Sequence, residues 1–229
     1  MIALLADSSL TSSSVYNPDN RDYSASRSRL NTFGEALAAG AWVASESDSS
    51  PWIQALLDSP SFVNKIATQG RQDFEHWTET YKLAYGLTVY SFVYILDDST
   101  GSERTFEGNS DRTSVVEHEF EAVLASYIRL FPITWNAAVA AIRWEVYGCD
   151  SGYAICPPIT NANTVVNSRD VMVGAQVRVE CVSGFVLQGV SSGASSLDVE
   201  CGVYGEWNED VSQLSCQYGK SFNVFYHCS

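Results

Sequence analysis

The chain has 229 residues, 45% hydrophobic and 12% aromatic, with 27 acidic against 13 basic side chains and a formal net charge of −14. This length admits one large domain or two small ones, and the apolar content argues against a disordered chain. Residues 1–150 hold 20 acids against 10 bases and residues 151–229 hold 7 against 3, so neither part has the Lys/Arg density that counterion release from nucleic acid requires, and an anionic membrane surface repels the chain as a whole.

In chain order, Met1-Ile2-Ala3-Leu4-Leu5-Ala6 is an apolar start without a basic flank, shorter than the roughly 7–15 residues of a signal-peptide core. No apolar run reaches the ~18 residues of a membrane-spanning helix, and no Asn-x-Ser/Thr sequon occurs. Tyr16-Asn17-Pro18-Asp19-Asn20 is turn-rich, as is Asp97-Asp98-Ser99-Thr100-Gly101. The Ala-rich stretch from Glu35 to Ala44 predicts a short helix. Tyr81, Leu83, Tyr85, Leu87 and Val89 alternate with Lys82, Ala84, Gly86 and Thr88. Ile142, Trp144 and Val146 alternate with Arg143, Glu145 and Tyr147. Both patterns predict strands with one buried face. Short strands with frequent turns over about 150 residues point to an antiparallel sandwich or barrel.

The texture changes near Gly148, after which the chain is rich in Cys, Gly and Ser. All six cysteines (Cys149, Cys156, Cys181, Cys201, Cys216, Cys228) lie in the last third. No C-x-x-C pair or His cluster is present to place thiols on zinc, so disulfides in an oxidising compartment are the expectation. Val177, Val179 and Cys181 alternate with Arg178 and Glu180, again a strand. A module spanning residues 155–217 has too small a core to stand without covalent staples, each contributing roughly 2–5 kcal/mol. Residues 218–229 read as a tail or the start of a further segment.

Segments across residues 7–149 resemble, in order, the discoidin domain, also called the coagulation factor five/eight type C domain. They include Arg27-Ser28-Arg29-Leu30-Asn31, Gly40-Ala41-Trp42-Val43-Ala44, Trp52-Ile53-Gln54, Ile66-Ala67-Thr68-Gln69-Gly70-Arg71, Tyr127-Ile128-Arg129-Leu130, Thr134-Trp135-Asn136 and Glu145-Val146-Tyr147-Gly148-Cys149. The resemblance implies an all-β distorted jelly-roll β-sandwich over residues 1–149 with binding loops at one end. It also implies secretion, and adhesion or ligand capture without catalysis. Two departures stand out. The family pairs its terminal Cys, here Cys149, with a first-strand Cys that this chain lacks, which leads to the expectation of a truncated N-terminus. The family's Gln-Val-Asp-Leu-Gly reads Gln54-Ala55-Leu56-Leu57-Asp58, so the acid of that motif is lost and ligand sites that use it do not carry over.

Cys156, Cys181, Cys201 and Cys216 leave intervals of 24, 19 and 14 residues. With Gly184-Phe185-Val186-Leu187-Gln188-Gly189 and Gly205-Glu206-Trp207, they resemble a sushi module, or complement control protein repeat. Spacing alone leaves three connectivities open. The resemblance implies Cys156–Cys201 and Cys181–Cys216. Cys149 and Cys228 are left over, either bonded to each other across the module or, the preferred reading, to partners outside the fragment.

Gly189-Val190-Ser191-Ser192-Gly193 has the form of a nucleophile elbow, but it lies inside a disulfide loop with only His227 downstream, and reads as a Gly/Ser loop. His76, His118 and His227 are scattered, and no zinc site is expected. No cofactor is expected; some discoidin-like domains carry structural calcium, and the sequence decides neither way. Arg27, Arg29, Arg71, Arg112 and Arg129 read as structural ion pairs, and Trp42, Trp52, Trp77, Trp135 and Trp144 as core.

By analogy with the family the binding loops are Tyr16 to Tyr23, the neighbourhood of Thr32 to Glu35, and Arg71 to Trp77. The candidate ligand-binding residues are Tyr16, Asn17, Asp19, Arg21, Tyr23, Phe33, Phe74 and His76. Tyr and Asn among charges suit an extracellular or cell-surface protein or a glycan. The acids beside Phe74 disfavour an anionic phospholipid surface. The expected function is non-catalytic extracellular recognition or adhesion, with the sushi module as spacer or second protein contact. The alternative is a lectin-like module of a larger secreted enzyme, and a phospholipid-docking domain comes third.

Overall fold

A computed structural model describes residues 1–17, 23–150, 152, 155–188, 195–202 and 205–218. The chain divides into two compact units, Met1–Gly152 and Tyr153–Ser229. Among the described residues the elements are β-strands and short 3-10 turns, with no α-helix.

The first unit contains β1 (Leu10–Ser12), β2 (Trp42–Val43), β3 (Ile53–Gln69), β4 (Thr78–Thr88), β5 (Ser91–Tyr94), β6 (Thr105–Glu107), β7 (Val116–Trp135) and β8 (Ala141–Asp150). They are ordered β2-β8-β3-β7-β4-β5, with β1 on β3 and β6 on β4. All pairings are antiparallel. The long strands β3 and β7 belong to both layers of a β-sandwich. The first part of β3 lies between β1 and the end of β7, with Ile53 opposite Leu130. After a register break between Leu56 and Ser61, the second part lies between β8 and the start of β7. The bulged bend lets each strand contribute to both walls of one core. Ile53, Ala55, Ile66, Tyr81, Leu83, Phe106, Ile128, Leu130, Ile142, Trp144 and Val146 fill that core.

Alternation holds in part. In β4, Tyr81 and Leu83 are buried but Tyr85 and Leu87 are half-buried, while Ala84, Gly86 and Thr88 on the other face are buried and Val89 is exposed. In β8 the predicted one-sided pattern is wrong, because Ala141 to Val146 are all buried and exposure begins at Tyr147. The reason is cover on the second face. Loops close over Arg143, and the N-terminal segment closes over Glu145, whose carboxylate accepts the backbone N–H of Ile2 and, at 2.8 Å, that of Ala3.

The expected helix from Glu35 to Ala44 does not form. Glu35 and Ala38 exchange backbone hydrogen bonds across a tight turn, and Trp42–Val43 is a strand paired to β8. Ten residues are too few to hold a helix by propensity alone, and here the backbone has other partners. The Ala39 carbonyl accepts Arg27 Nε at 2.8 Å, and the Gly40 N–H donates to Asp73 at 2.8 Å.

Trp42 and Trp144 are core residues, whereas Trp52, Trp77 and Trp135, also expected there, are half-buried. The ion-pair reading of the arginines holds for Arg29 with Asp7, Arg71 with Asp73 and Arg112 with Glu75. It does not hold for Arg27, which donates to the carbonyls of Ala39 and Phe33, or for Arg129, which donates to Gln54. A guanidinium fork satisfies a bent loop's carbonyls as readily as a carboxylate.

The second unit has a sheet of β9 (Thr164–Val166), β10 (Gln176–Cys181) and β12 (Ser196–Glu200), ordered β12-β10-β9, and a separate antiparallel pair of β11 (Phe185–Gln188) and β13 (Ser215–Tyr218). Val177 and Val179 are buried while Arg178 and Glu180 are exposed, as their alternation predicts. Cys156–Cys201 and Cys181–Cys216 are bonded, the pairing the resemblance implied. Trp207 is buried between them in sequence and donates its indole N–H to the Pro157 carbonyl at 2.7 Å. Cys149 is exposed and outside any disulfide among the described residues. Cys228 and the Gly189–Gly193 motif lie outside the described residues.

Candidate functional site

The loops at one end of the sandwich are tied together by two groups. Arg143 leaves β8 with a side chain only 2% exposed. Its Nε donates to the Gly70 carbonyl at 2.7 Å, Nη1 to Thr32 at 2.9 Å and Nη2 to Arg112 at 2.7 Å. One planar fork thus holds three loop backbones in register. Burial pushes its pKa down, opposed by the charge of Asp73, to about 10, so it stays protonated near neutrality.

The second group is Asp73. It accepts the Gly40 N–H, and takes Arg71 Nε and Nη2 at 2.8 and 2.9 Å in a bidentate pair. The Gln72 side chain meanwhile accepts the Gly34 N–H at 3.1 Å. The second and third expected loops are therefore stitched to each other. Burial works to raise the Asp73 carboxyl, but hydrogen bonds from Arg71 and Gly40 and the Arg71 charge outweigh it and bring the value from 3.8 to about 2.

Arg71 is also the wall of a cleft of about 260 Å³, rimmed by Tyr16, Tyr23, Phe74, His76 and Glu46. Its guanidinium carbon lies 5.5 Å from the Tyr23 ring centre and 5.1 Å from that of Phe74. Tyr16 meets Tyr23 edge-on at 5.1 Å, and Phe74 meets His76 edge-on at 4.8 Å. Val43, Ala138 and Val139 complete the lining. Tyr23 packs on the buried cluster of Ala39, Val43, Val139 and Ala141, which fixes its ring. The cleft therefore offers aromatic faces and edges, a cation with donors to spare, and one carboxylate. His76 Nδ1 is buried with no hydrogen-bond partner among the described residues. Burial lowers its pKa first, the Arg71 charge lowers it further, and Asp73 opposes, so the imidazole is neutral at pH 7.

Of the candidate residues, Tyr16, Tyr23, Phe74 and His76 converge on this cleft. Asn17 stands exposed beside Tyr16 with φ of 74°, and Phe33 points to solvent outside the cleft lining, 66% exposed. Asp19 and Arg21 lie outside the described residues. The sequence reading gave Arg71 a structural role only and passed over Val43, Glu46, Ala138 and Val139. Those four come from two stretches of chain about ninety residues apart, and no local pattern links them. The spacing of Arg71 and Asp73 was a usable signal, because a cation paired two residues away stays fixed at its loop.

In the second unit a shallow polar groove of about 420 Å³ is lined by Asn167, Gln176, Arg178, Asp198 and Asn208, among others. Arg178 and Asp198 pair across it at 2.7 Å. Among the described residues no group of three or more His, Cys, Asp or Glu side chains is placed to hold a metal.

Human (Homo sapiens) retinoschisin is 35% identical over 130 residues, covering 56% of this chain and 56% of its own length. Lactadherin of Rattus norvegicus is 32% identical over 175 residues, covering 72% of this chain and 39% of its own length. The chain thus spans little more than half of the first relative and less of the second. Among solved structures, recombinant discoidin II of Dictyostelium discoideum superposes with a TM-score of 0.55 at 25% identity, over 84% of this chain and 71% of that one. Residues 154–216 match the model of the sushi repeat. Residues 9–146 match the F5/8 type C domain model, and the chain belongs to that family.

Proposed function

We propose that the chain is a non-catalytic extracellular recognition fragment that binds a protein or glycan ligand in the cleft between the first and third loops. The observation that carries this reading is the gathering of Tyr16, Tyr23, Phe74 and His76 around Arg71, itself locked by Asp73. Recognition sites on rigid scaffolds typically pair aromatic surface with a few fixed polar groups. The cleft takes one small polar unit, either a terminal sugar ring stacked on an aromatic side chain or a single side chain of a protein ligand. The two disulfides of the sushi repeat support an oxidising, extracellular setting. That repeat serves as spacer or second protein contact.

Glycan-array binding by the chain, compared with the Tyr16→Ala and Arg71→Met variants, tests the reading. A positive array signal that falls about tenfold or more in both variants supports a sugar ligand. A silent array with saturable binding to a cell-surface protein, lost in the same variants, supports a protein ligand. Binding indifferent to both variants, or a turnover abolished by His76→Gln, overturns the proposal.

A lectin-like module of a larger secreted enzyme is the second reading, favoured by the sugar-sized cleft. A phospholipid surface is third. Phe33, Leu37 and Phe74 do protrude, at 66%, 80% and 55% exposure. However, Arg71 and Arg112 are each paired with an acid, and Arg27 is engaged by the carbonyls of Ala39 and Phe33, which disfavours an anionic headgroup.

A further inference from the structure

The outer face of the layer built by β1, β3, β7, β4 and β5 carries a second set of aromatic side chains. Ile53, Ala55, Leu83, Ile128 and Leu130 point into the core, so alternation sends Gln54, Leu56, Lys82, Ala84, Tyr127, Arg129 and Phe131 outward. Strand pairing places them in rows. Gln54 stands opposite Arg129, Arg129 opposite Ala84, and Ala84 opposite Tyr94. Such a face usually meets water with polar residues. Here Trp52, Phe92, Tyr94, Tyr127 and Phe131 are half-buried on it and Leu56 is exposed.

Arg129 lies at the centre. Its guanidinium carbon is 4.2 Å from the Trp52 ring centre and 4.1 Å from that of Phe92, a cation held between two aromatic rings. Phe92 in turn meets Tyr127 edge-on at 6.4 Å, and Tyr94 meets Phe131 at 5.5 Å. Nε and Nη2 both donate to the neutral Gln54 Oε1, at 2.9 and 2.6 Å. Nη1 makes no hydrogen bond among the described residues. Arg29, Arg71 and Arg112 each have an acid, and Arg143 spends its fork on three carbonyls. Arg129 has neither, and no carboxylate lies within ion-pair distance of it among the described residues. Leu56, two residues from Gln54 on the same face and opposite Tyr127, offers Arg129 no charge. Burial among the rings disfavours the guanidinium charge further.

A partly desolvated cation with open donors, ringed by Trp, Tyr and Phe, has the composition of an interface hot spot. What the site lacks is one negative charge on an apolar surround. We propose that this face docks a partner protein that sets an Asp or Glu side chain, flanked by apolar residues, against Arg129. The chain's net charge of −14 disfavours a second copy as that partner. The site is separate from the loop cleft and does not depend on its ligand.

The test is selection of a displayed random-peptide library on the full chain with counter-selection on Arg129→Gln, followed by titration of the enriched peptides monitored by tryptophan fluorescence. The expected winners carry Asp or Glu beside aliphatic or aromatic residues. Their affinity should fall about tenfold or more when the acid is amidated or when Arg129→Gln is used. Leu56→Asp is the second variant, since it supplies an internal carboxylate at an exposed position. It should weaken the peptides similarly while the melting temperature stays within a few degrees of the parent. The proposal is overturned if no peptide is enriched, if enriched peptides lack acids, or if binding is the same in Leu56→Asp. It is also overturned if a heparin hexasaccharide, but no acidic peptide, binds in an Arg129-dependent way.

Discussion

Arg143, Asp73 and His76 are three residues that govern how far the loop end is pre-organised. Replacing Arg143 by Lys keeps a charge but leaves a single nitrogen to serve the carbonyls of Gly70, Thr32 and Arg112, which lie in three loops. At least one buried carbonyl then loses its partner, and a cost of about 2–4 kcal/mol in denaturant unfolding is expected, with weakened binding in the cleft. Asp73 sets an acid limb. Its folded pKa of about 2 lies below the ordinary 3.8, so its contribution is complete above the ordinary carboxylate range and is lost as pH falls towards 2. Because the group is more exposed than buried, the effect is on the order of 1 kcal/mol after allowing for solvent screening. Thermal melts from pH 5 to pH 2 should show a drop that Asp73→Asn lacks. His76 acts at milder pH. Its folded pKa lies below the ordinary 6.5, so the unfolded chain takes up the proton first and stability declines as pH falls through 6.5. Melting temperatures between pH 7 and pH 5 should fall in the parent and fall less in His76→Gln.

Among the elements, β8 shows most plainly what a pattern can and cannot convey. Ile142, Trp144 and Val146 were legible as a core-facing row, and they are. The opposite row was read as solvent-facing because it holds Arg143 and Glu145, yet both are buried, since backbone donors and acceptors from distant loops cover them. Period-2 alternation reports polarity, and a satisfied polar group is as buryable as an apolar one. Near its end the same strand places Gly148 opposite Val63 of β3. A Cβ there would run into the Phe62 carbonyl oxygen, a backbone atom that cannot move aside without breaking the ladder. Gly148→Ala is therefore expected to cost about 3 kcal/mol or more, or to prevent folding, as read by yield and unfolding midpoint. The segment from Glu35 to Ala44 was misread because its alanines signal helix only when the backbone has no better partner, and here Arg27 and Asp73 are those partners.

For the whole molecule, the two units rest on different forces. The first has a continuous core from Ile2 to Val146 and no disulfide among its described residues, whereas the second is closed by Cys156–Cys201 and Cys181–Cys216. Each bond contributes roughly 2–5 kcal/mol, comparable to what a core of that size supplies. Reduction with dithiothreitol is accordingly expected to unfold the second unit while amide protection in the first persists, as followed by hydrogen exchange. Loss of protection in both together would show that the units do not fold independently. The strand-rich class, the two-part organisation and the residue types of the loops were set by composition, alternation and cysteine spacing, all of which are properties of residue order along the chain and need no knowledge of which distant segments meet. The cleft, the triple grip of Arg143 and the uncompensated Arg129 were decided only by tertiary structure. Each depends on which atoms of sequence-distant segments come within about 3–5 Å, and hydrogen bonds and ring contacts are made or lost over that distance.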